Sequence, residues 1–434
     1  MVEQMKPSGI DYIGDIPQSW LIGRVKNFYK ILTGFTPDTS NPEYYDEDLG
    51  YDWITIADID NAKYITETKS KISQKYLQEK HPIITPKGSL LYSFKLSVGK
   101  VAFAGKDIYT NEAIASFVED KNVSLKFLYY SSALIIENAN INIYGAKIMN
   151  QELIGNAPIV FPTLEEQRFI ADFLDKQCGK IDEIISDLEK QIETLQKYKK
   201  SLILETATKG LNKNAPMKSS GIDWIGDIPA HWDIKRIKDV SKMQTGTTPP
   251  NNEGVNIDGD GVNWFTPGDF MDGSVELLNS EKHVNNETIQ RDAIKIYPKH
   301  SILFVGIASI GKLGYFENAC YSNQQITAIK PNNVESSKYI SYALLASMDY
   351  TKSNALYTTV PIINNAYLGI IKIPFPEVKE QNEIISYLDK KCSQIDAIVK
   401  DKQEQLEKIK QHKKSLIYEY VTGKKRVKEA TNGN

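Results

Sequence analysis

The chain has 434 residues, 41% of them hydrophobic and 25% charged, the composition of a soluble globular protein with room for more than one core. Its longest near-apolar run, SILFVGIASIG from Ser301 to Gly311, is too short to span a bilayer, MVEQMKPSG lacks the apolar stretch of a secretory signal, and three cysteines exclude a disulfide framework, so the cytoplasm is expected and no membrane. The net charge of −3 excludes a wholly basic surface for nucleic acid but not a local basic groove, because affinity depends on the few cations near phosphates.

The first element is SGIDYIGDIP, Ser8 to Pro17, which returns as SGIDWIGDIP, Ser220 to Pro229, with only Tyr12 exchanged for Trp224. The match continues along the chain. TGFTP (Thr33 to Pro37) pairs with TGTTP (Thr245 to Pro249), Trp53 with Trp264, SVGK (Ser97 to Lys100) with SIGK (Ser309 to Lys312), PTLEEQ (Pro162 to Gln167) with PEVKEQ (Pro376 to Gln381), and KKSLI from Lys199 with KKSLI from Lys413. The offset stays between 211 and 214 residues, far above solenoid periods, so a whole domain is duplicated. Residues 38–52 and 250–263 share almost nothing. One scaffold with different loops implies one kind of task on two targets.

Within each copy, short β-branched and aromatic runs broken by Gly, Pro and Asn predict mixed α/β structure: WITIADI from Trp53, GSLLYSF from Gly88, KVAFAG from Lys100 and AIASFVE from Ala113. A helical stretch from Ser124 follows, matched by one from Ser336. The next segment differs in kind. Leu174, Cys178, Ile181, Ile185, Leu188, Ile192, Leu195 and Leu202 recur in alternating steps of three and four, the seam of a coiled coil interrupted by Lys199. The second copy repeats it with Leu388, Cys392, Ile395, Val399, Leu406, Ile409 and Leu416, interrupted by Lys402 and Lys413. Each helix would be roughly 60 Å long at 1.5 Å per residue. The expected order is an α/β domain over residues 1–163, a helix over 164–210, a second α/β domain over 211–377, a helix over 378–425 and a polar tail over 426–434. The expected fold class is α/β (α+β): two α/β domains related by a pseudo-two-fold and separated by two long helices paired as an antiparallel coiled coil. Such an arrangement suits a bipartite, non-palindromic DNA site.

Catalytic motifs fail on inspection. NPEYY, Asn41 to Tyr45, echoes a base-holding methyltransferase loop, but Glu43 stands where a second Pro is needed and no Gly-rich cofactor loop follows a nearby strand. NIDGDG, Asn256 to Gly261, begins like a calcium loop, but position twelve is Pro267 rather than Glu. No nucleotide, zinc-protease or serine-hydrolase motif occurs, so neither a catalytic nor a metal site is expected.

The doubled SGIDYIGDIP/SGIDWIGDIP opening, the TGxTP turn, and the starts PTLEEQRFIADFLDKQCGKID and PEVKEQNEIISYLDKKCSQID resemble the specificity subunits of type I restriction–modification systems over nearly the full length. The resemblance implies two target-recognition domains reading double-stranded DNA, joined by helices that dock two methyltransferase subunits. Two translocase–nuclease restriction subunits can join for cleavage. It implies no cofactor in this chain; S-adenosylmethionine, ATP and Mg belong to the partners, and the complex would make N6-methyladenine. Phosphate contacts are expected from the shared frame: Thr33, Gly34, Thr36, Lys95, Gly99 and Lys100, then Thr245, Gly246, Thr248, Gly311 and Lys312. Base contacts are expected where the copies differ: Tyr92, Ser93, Asn111, Tyr144 and Lys147 in the first, Ser309, Asn323, Gln324, Gln325, Tyr357 and Thr358 in the second. Trp53 and Trp264 are expected in the core. The competing readings are a non-catalytic coiled-coil scaffold that binds protein, and a phage antirestriction decoy.

Overall fold

In the computed structural model, which describes residues 4–59, 62–95, 97–142, 145, 147–250, 253–257, 261–291, 294, 296–353, 356–357 and 361–427, the apolar runs become the central strands of two similar sheets. The first sheet has strands β1 (Lys30–Thr33), β2 (Tyr64–Ile65), β3 (Leu90–Ser93), β4 (Val101–Ala104) and β5 (Ile114–Val118) in the order β1-β5-β3-β4-β2. The second has β6 (Ser241–Thr245), β7 (Ser301–Val305), β8 (Leu313–Phe316) and β9 (Ile326–Pro331) in the order β6-β9-β7-β8. Neighbours are antiparallel except β2 beside β4. Strands β3 and β7 are buried along their whole length, because both faces of each sheet are covered. Leu90, Tyr92, Ala115 and Phe117 pack on one face of the first sheet, and Leu91, Ala102, Ala104 and Ile114 on the other. A strand covered twice reads as a continuous apolar run rather than an alternating one.

The long helices are α2 (Leu164–Lys209) and α4 (Val378–Val421), with shorter helices α1 (Leu125–Ser131) and α3 (Ser337–Ala346) in the two α/β parts. None of the helices in the described residues is long and apolar enough to cross a membrane. The chain divides into two compact units, residues 1–187 with 406–434, and residues 188–405. Each long helix therefore gives one portion to each unit. In the first unit Phe173 packs on Tyr420 and Lys413 reaches Asp182; in the second Lys199 reaches Asp396 and Lys402 reaches Gln191. As one partner number rises the other falls, so the pairing is antiparallel. All fifteen seam residues are buried or half-buried. Leu174, Cys178, Leu388, Cys392 and Ile395 are the most deeply covered beside Leu188 and Leu202, where the α/β parts lie against the helices. Ile181, Ile185, Ile192, Leu195, Val399, Leu406, Ile409 and Leu416 are partly covered.

The two Lys interruptions of the seam have the same solution. Lys199 Nζ lies 2.7 Å from both carboxylate oxygens of Asp396, and Lys413 Nζ lies 2.6 and 2.7 Å from those of Asp182. Both Lys and Asp recur at an offset of 214, so the ion pair is a duplicated feature of the helix pairing.

The repeated opening stretch forms a hairpin in each copy, Met5–Pro7 against Asp15–Pro17 and Met217–Ser219 against Asp227–Pro229. Its apolar residues face the helices. Ile13, Ile16 and Trp20 pack with Ile170, Ala171, Leu174 and Cys178, and Ile225, Ile228 and Trp232 with Leu202, Ile203, Ile384 and Leu388. The Trp20 indole donates to Glu166 (3.4 Å) and that of Trp232 to Glu380 (2.8 Å). The same words appear twice because each α/β part must be fixed to its stretch of helix in the same way.

A polar latch reinforces this joint. Tyr130 on α1 donates to Asp175 on α2 (2.5 Å), and Tyr342 on α3 donates to Asp389 on α4 (2.7 Å). The cations differ in strength: Lys338 on α3 reaches Asp389 at 2.7 Å, whereas its match on α1, Lys126, stands 3.9 Å from Asp175 and Lys63, beside β2, makes the close contact at 2.5 Å. Burial alone would raise the Asp175 carboxyl, but hydrogen bonds from Lys63 and Tyr130 and the charges of Lys63 and Lys126 outweigh it and hold it below the usual carboxylate range. Such a carboxyl contributes fully to stability above its unfolded pKa of about 3.9 and loses that contribution as pH falls through the lower folded value. Lys63→Met removes the strongest of the opposing causes. In a circular-dichroism acid titration between about pH 5 and pH 2, its loss of helix signal is expected at higher pH than in the unaltered chain. An unchanged acid midpoint would mean that Lys63 does not hold this carboxylate.

Candidate nucleic-acid interface

Four strand termini meet at one end of each sheet. In the first, Thr33 at the end of β1 lies opposite Ala115, Ile114 at the start of β5 opposite Ser93, and Tyr92 opposite Val101 at the start of β4. The TGFTP turn, the loop through Asn111 and the hairpin turn through SVGK are thereby brought together. In the second, Thr245 lies opposite Thr327, Ile326 opposite Val305, and Phe304 opposite Leu313, which gathers TGTTP, the loop through Asn323 and the SIGK turn.

The turn presses directly on the loop. A Cβ on Gly34 would sit 2.0 Å from the Thr110 carbonyl oxygen, and one on Gly246 2.0 Å from that of Asn323, so only glycine permits the approach. Phe35 N–H donates to Thr110 O and Thr247 N–H to Ser322 O, both at 2.9 Å. The indole of Trp53 donates to Phe35 O (3.1 Å) and that of Trp264 to Thr247 O (3.3 Å). Both tryptophans are buried, in keeping with the core position expected of them. The first Thr of each turn is held from the far side: Gln151 donates to Thr33, and Asn365 donates to Thr245 (2.9 Å) while accepting from Thr327 (2.6 Å).

The loops themselves start alike and then diverge. Asn111 Oδ1 accepts from Ala113 N–H (2.8 Å) and Asn323 Oδ1 from Gln325 N–H (3.1 Å), the side-chain-to-backbone turn that Asn makes well. The Asn111 amide then donates to Thr36 (3.0 Å). The Asn323 amide donates instead to Gln325 (2.9 Å), and Thr248 donates to Gln324 Oε1. Thr33, Thr36, Thr245 and Gln324 are exposed; Asn111, Thr248, Asn323 and Gln325 are half-buried.

Two of the other expected residues have no surface to offer. Tyr92 and Ser93 are fully buried in β3: the Tyr92 ring belongs to the sheet core, and the Ser93 hydroxyl donates to Ser97 O and accepts from Lys100 N–H. Neither side chain lies on a surface, because a strand covered on both faces has no outward side. Lys95 is exposed but ion-paired with Glu112 (2.8 Å), a residue that no sequence motif singles out. Lys147 pairs with Glu137 (3.0 Å) on a short exposed hairpin strand. Lys312 donates to Phe270 O (3.2 Å). Gly99 and Gly311 sit in the hairpin turns at φ of +90° and +87°, with Ser309 exposed and Lys100 half-buried beside them. Tyr357 lies in the short strand Leu356–Tyr357; Tyr144 and Thr358 lie outside the described residues. Asn41 of NPEYY caps a short turn by accepting from Glu43 N–H (3.1 Å). Asp258 and Asp260 of NIDGDG also lie outside the described residues, and no group of metal-binding side chains occurs among those described.

The whole chain can be compared with known proteins on this basis. A type I restriction enzyme MjaVIII specificity subunit from Methanocaldococcus jannaschii is 25% identical over 441 residues, covering 95% of this chain and 94% of its own. The MjaIX specificity subunit of the same organism is 26% identical over 302 residues, 67% of each chain. A chain from a structural study of complex assembly and conformational transition of the type I R-M system superposes with a TM-score of 0.69 at 17% identity, over 94% of this chain and 98% of that one, a likeness of fold. The sequence model of the type I restriction modification DNA specificity domain matches residues 17–194 and again 229–408. Those two matches bracket the two sheets with their loop-bearing ends and most of both long helices, and the chain belongs to the type I restriction–modification specificity family.

Proposed function

We propose that the chain is the non-catalytic, DNA-reading subunit of a cytoplasmic type I restriction–modification complex. Each loop-bearing sheet end reads one half of a bipartite, asymmetric site in double-stranded DNA. The observation that carries this is the pair of loop clusters: the same turn, tryptophan and asparagine build both, yet they end in different hydrogen-bonding groups. A protein that reads two unlike half-sites needs that combination, since phosphate contacts position and base-edge contacts specify. The paired helices serve as the docking surface for two methyltransferase subunits, which hold S-adenosylmethionine, and two restriction subunits bring ATP and Mg.

Co-expression with the methyltransferase of its own system, followed by single-molecule methylation mapping, tests the reading. One split motif with N6-methyladenine on both strands is expected, absent when this chain is omitted. A methylation pattern indifferent to the chain would refute it and leave the protein-binding scaffold. Lys100→Ala is expected to weaken binding to matched and mismatched duplexes alike. In fluorescence anisotropy across a salt series it should lower the slope of log affinity against log salt by about one; an unchanged slope would remove Lys100 from the phosphate contacts.

A further inference from the structure

The two loop clusters differ most sharply at one matched position, Glu112 in the first copy and Gln324 in the second, 212 residues apart. Both side chains are exposed and both follow the asparagine that builds the loop. Their surroundings change with them. Glu112 is met by Lys95 at 2.8 Å; the residue matching Lys95 is Ile307, where no carboxylate has to be neutralised. In the second copy Gln325 takes up the Asn323 amide, and Thr248 is left to hold the Gln324 carbonyl oxygen. In the first copy the matching Thr36 is occupied by Asn111 and Glu112 is left to Lys95. The two arrangements present opposite chemistry outward. The carboxylate of Glu112 can only accept hydrogen bonds, whereas Gln324, with its oxygen engaged, offers the two donors of its amide nitrogen.

Resting on the DNA-reading role, we propose that residues 112 and 324 are matched specificity-determining positions of opposite sign, held in place by the TGxTP turn. Glu112 selects a base edge that donates, the N4 amino group of cytosine, since adenine sets an acceptor beside its own amino group. Gln324 selects an edge that accepts, guanine O6/N7 or thymine O4. Thr36 and Thr248 are positioning residues, acting on the base through the loop.

The test uses the full chain co-expressed with its methyltransferase, and methylation mapping of Glu112→Gln, Gln324→Glu, Glu112→Ala and Gln324→Ala. Each isosteric exchange should change the base accepted at one position of one half-motif, by about tenfold in preference, with the other half unaltered. Each alanine variant should accept more than one base at that same position. Four variants that keep the original motif would overturn the proposal while the split motif itself still stood. So would a change in both halves from a single substitution, or loss of all methylation by every variant with an unchanged melting temperature. An unaltered chain that directs no split motif would instead refute the DNA-reading role, and the assignment of both positions with it.

Discussion

Trp232→Ala is expected to destabilise the protein by about 3–5 kcal/mol, the range for deleting a fully buried tryptophan. The side chain has no exposed surface and lies in the cluster that joins the second opening hairpin to both long helices. Its loss would leave a cavity among Ile225, Ile228, Leu202 and Leu388 and strip Glu380 of the indole donor at 2.8 Å. Trp20→Ala should have a comparable effect in the first unit, where the ring is equally buried among Ile13, Ile16 and Leu174. Urea unfolding followed by circular dichroism gives the measurement. A cost below about 1 kcal/mol for both variants would mean that these hairpins do not bind the α/β parts to the helices.

The second large effect comes from the seam. Asp396→Ala should cost about 2 kcal/mol, more than an exposed pair and less than a wholly buried one, because it strands the Lys199 ammonium in a covered position although Asp396 itself meets water. The Lys199 side chain is 10% exposed while that of Asp396 is 52% exposed. The asymmetry makes the prediction directional. Lys199→Met leaves a carboxylate that water can reach and fills the seam with apolar volume, so its cost should stay under about 1 kcal/mol. The double variant Lys199→Met/Asp396→Ala should recover most of the loss of Asp396→Ala. Equal costs for the two single variants would contradict a buried lysine as the cause. The matching Lys413 is 27% exposed, so Asp182→Ala should be milder than Asp396→Ala.

Several features of the molecule could be read directly from residue order. The duplication shows in SGIDYIGDIP and SGIDWIGDIP, and the long helices in the three-four spacing of Leu174, Cys178, Ile181 and their counterparts. The TGxTP turns are visible as matched motifs and Asn111 and Asn323 as candidate base contacts, and each turn meets its asparagine loop at the end of its own sheet. Tyr92 and Ser93 show the limit. Their polar groups suggested a surface role, but GSLLYSF is covered on both faces, and the second layer over a strand comes from segments distant in sequence. Lys95 shows it again: residue order offers it as a phosphate contact, and only the sheet places it 2.8 Å from Glu112.

By itself the sequence determined the repeat, the strand and helix types and the seam, because apolar periodicity and turn chemistry act between residues a few positions apart. Only the tertiary structure decided the partners of the charges: Lys199 with Asp396, Lys63 with Asp175, Lys95 with Glu112. An ion pair is set by proximity in space and by exclusion of water. Neither quantity exists until the sheets and helices have packed, so no local pattern could announce which carboxylate would face which amine.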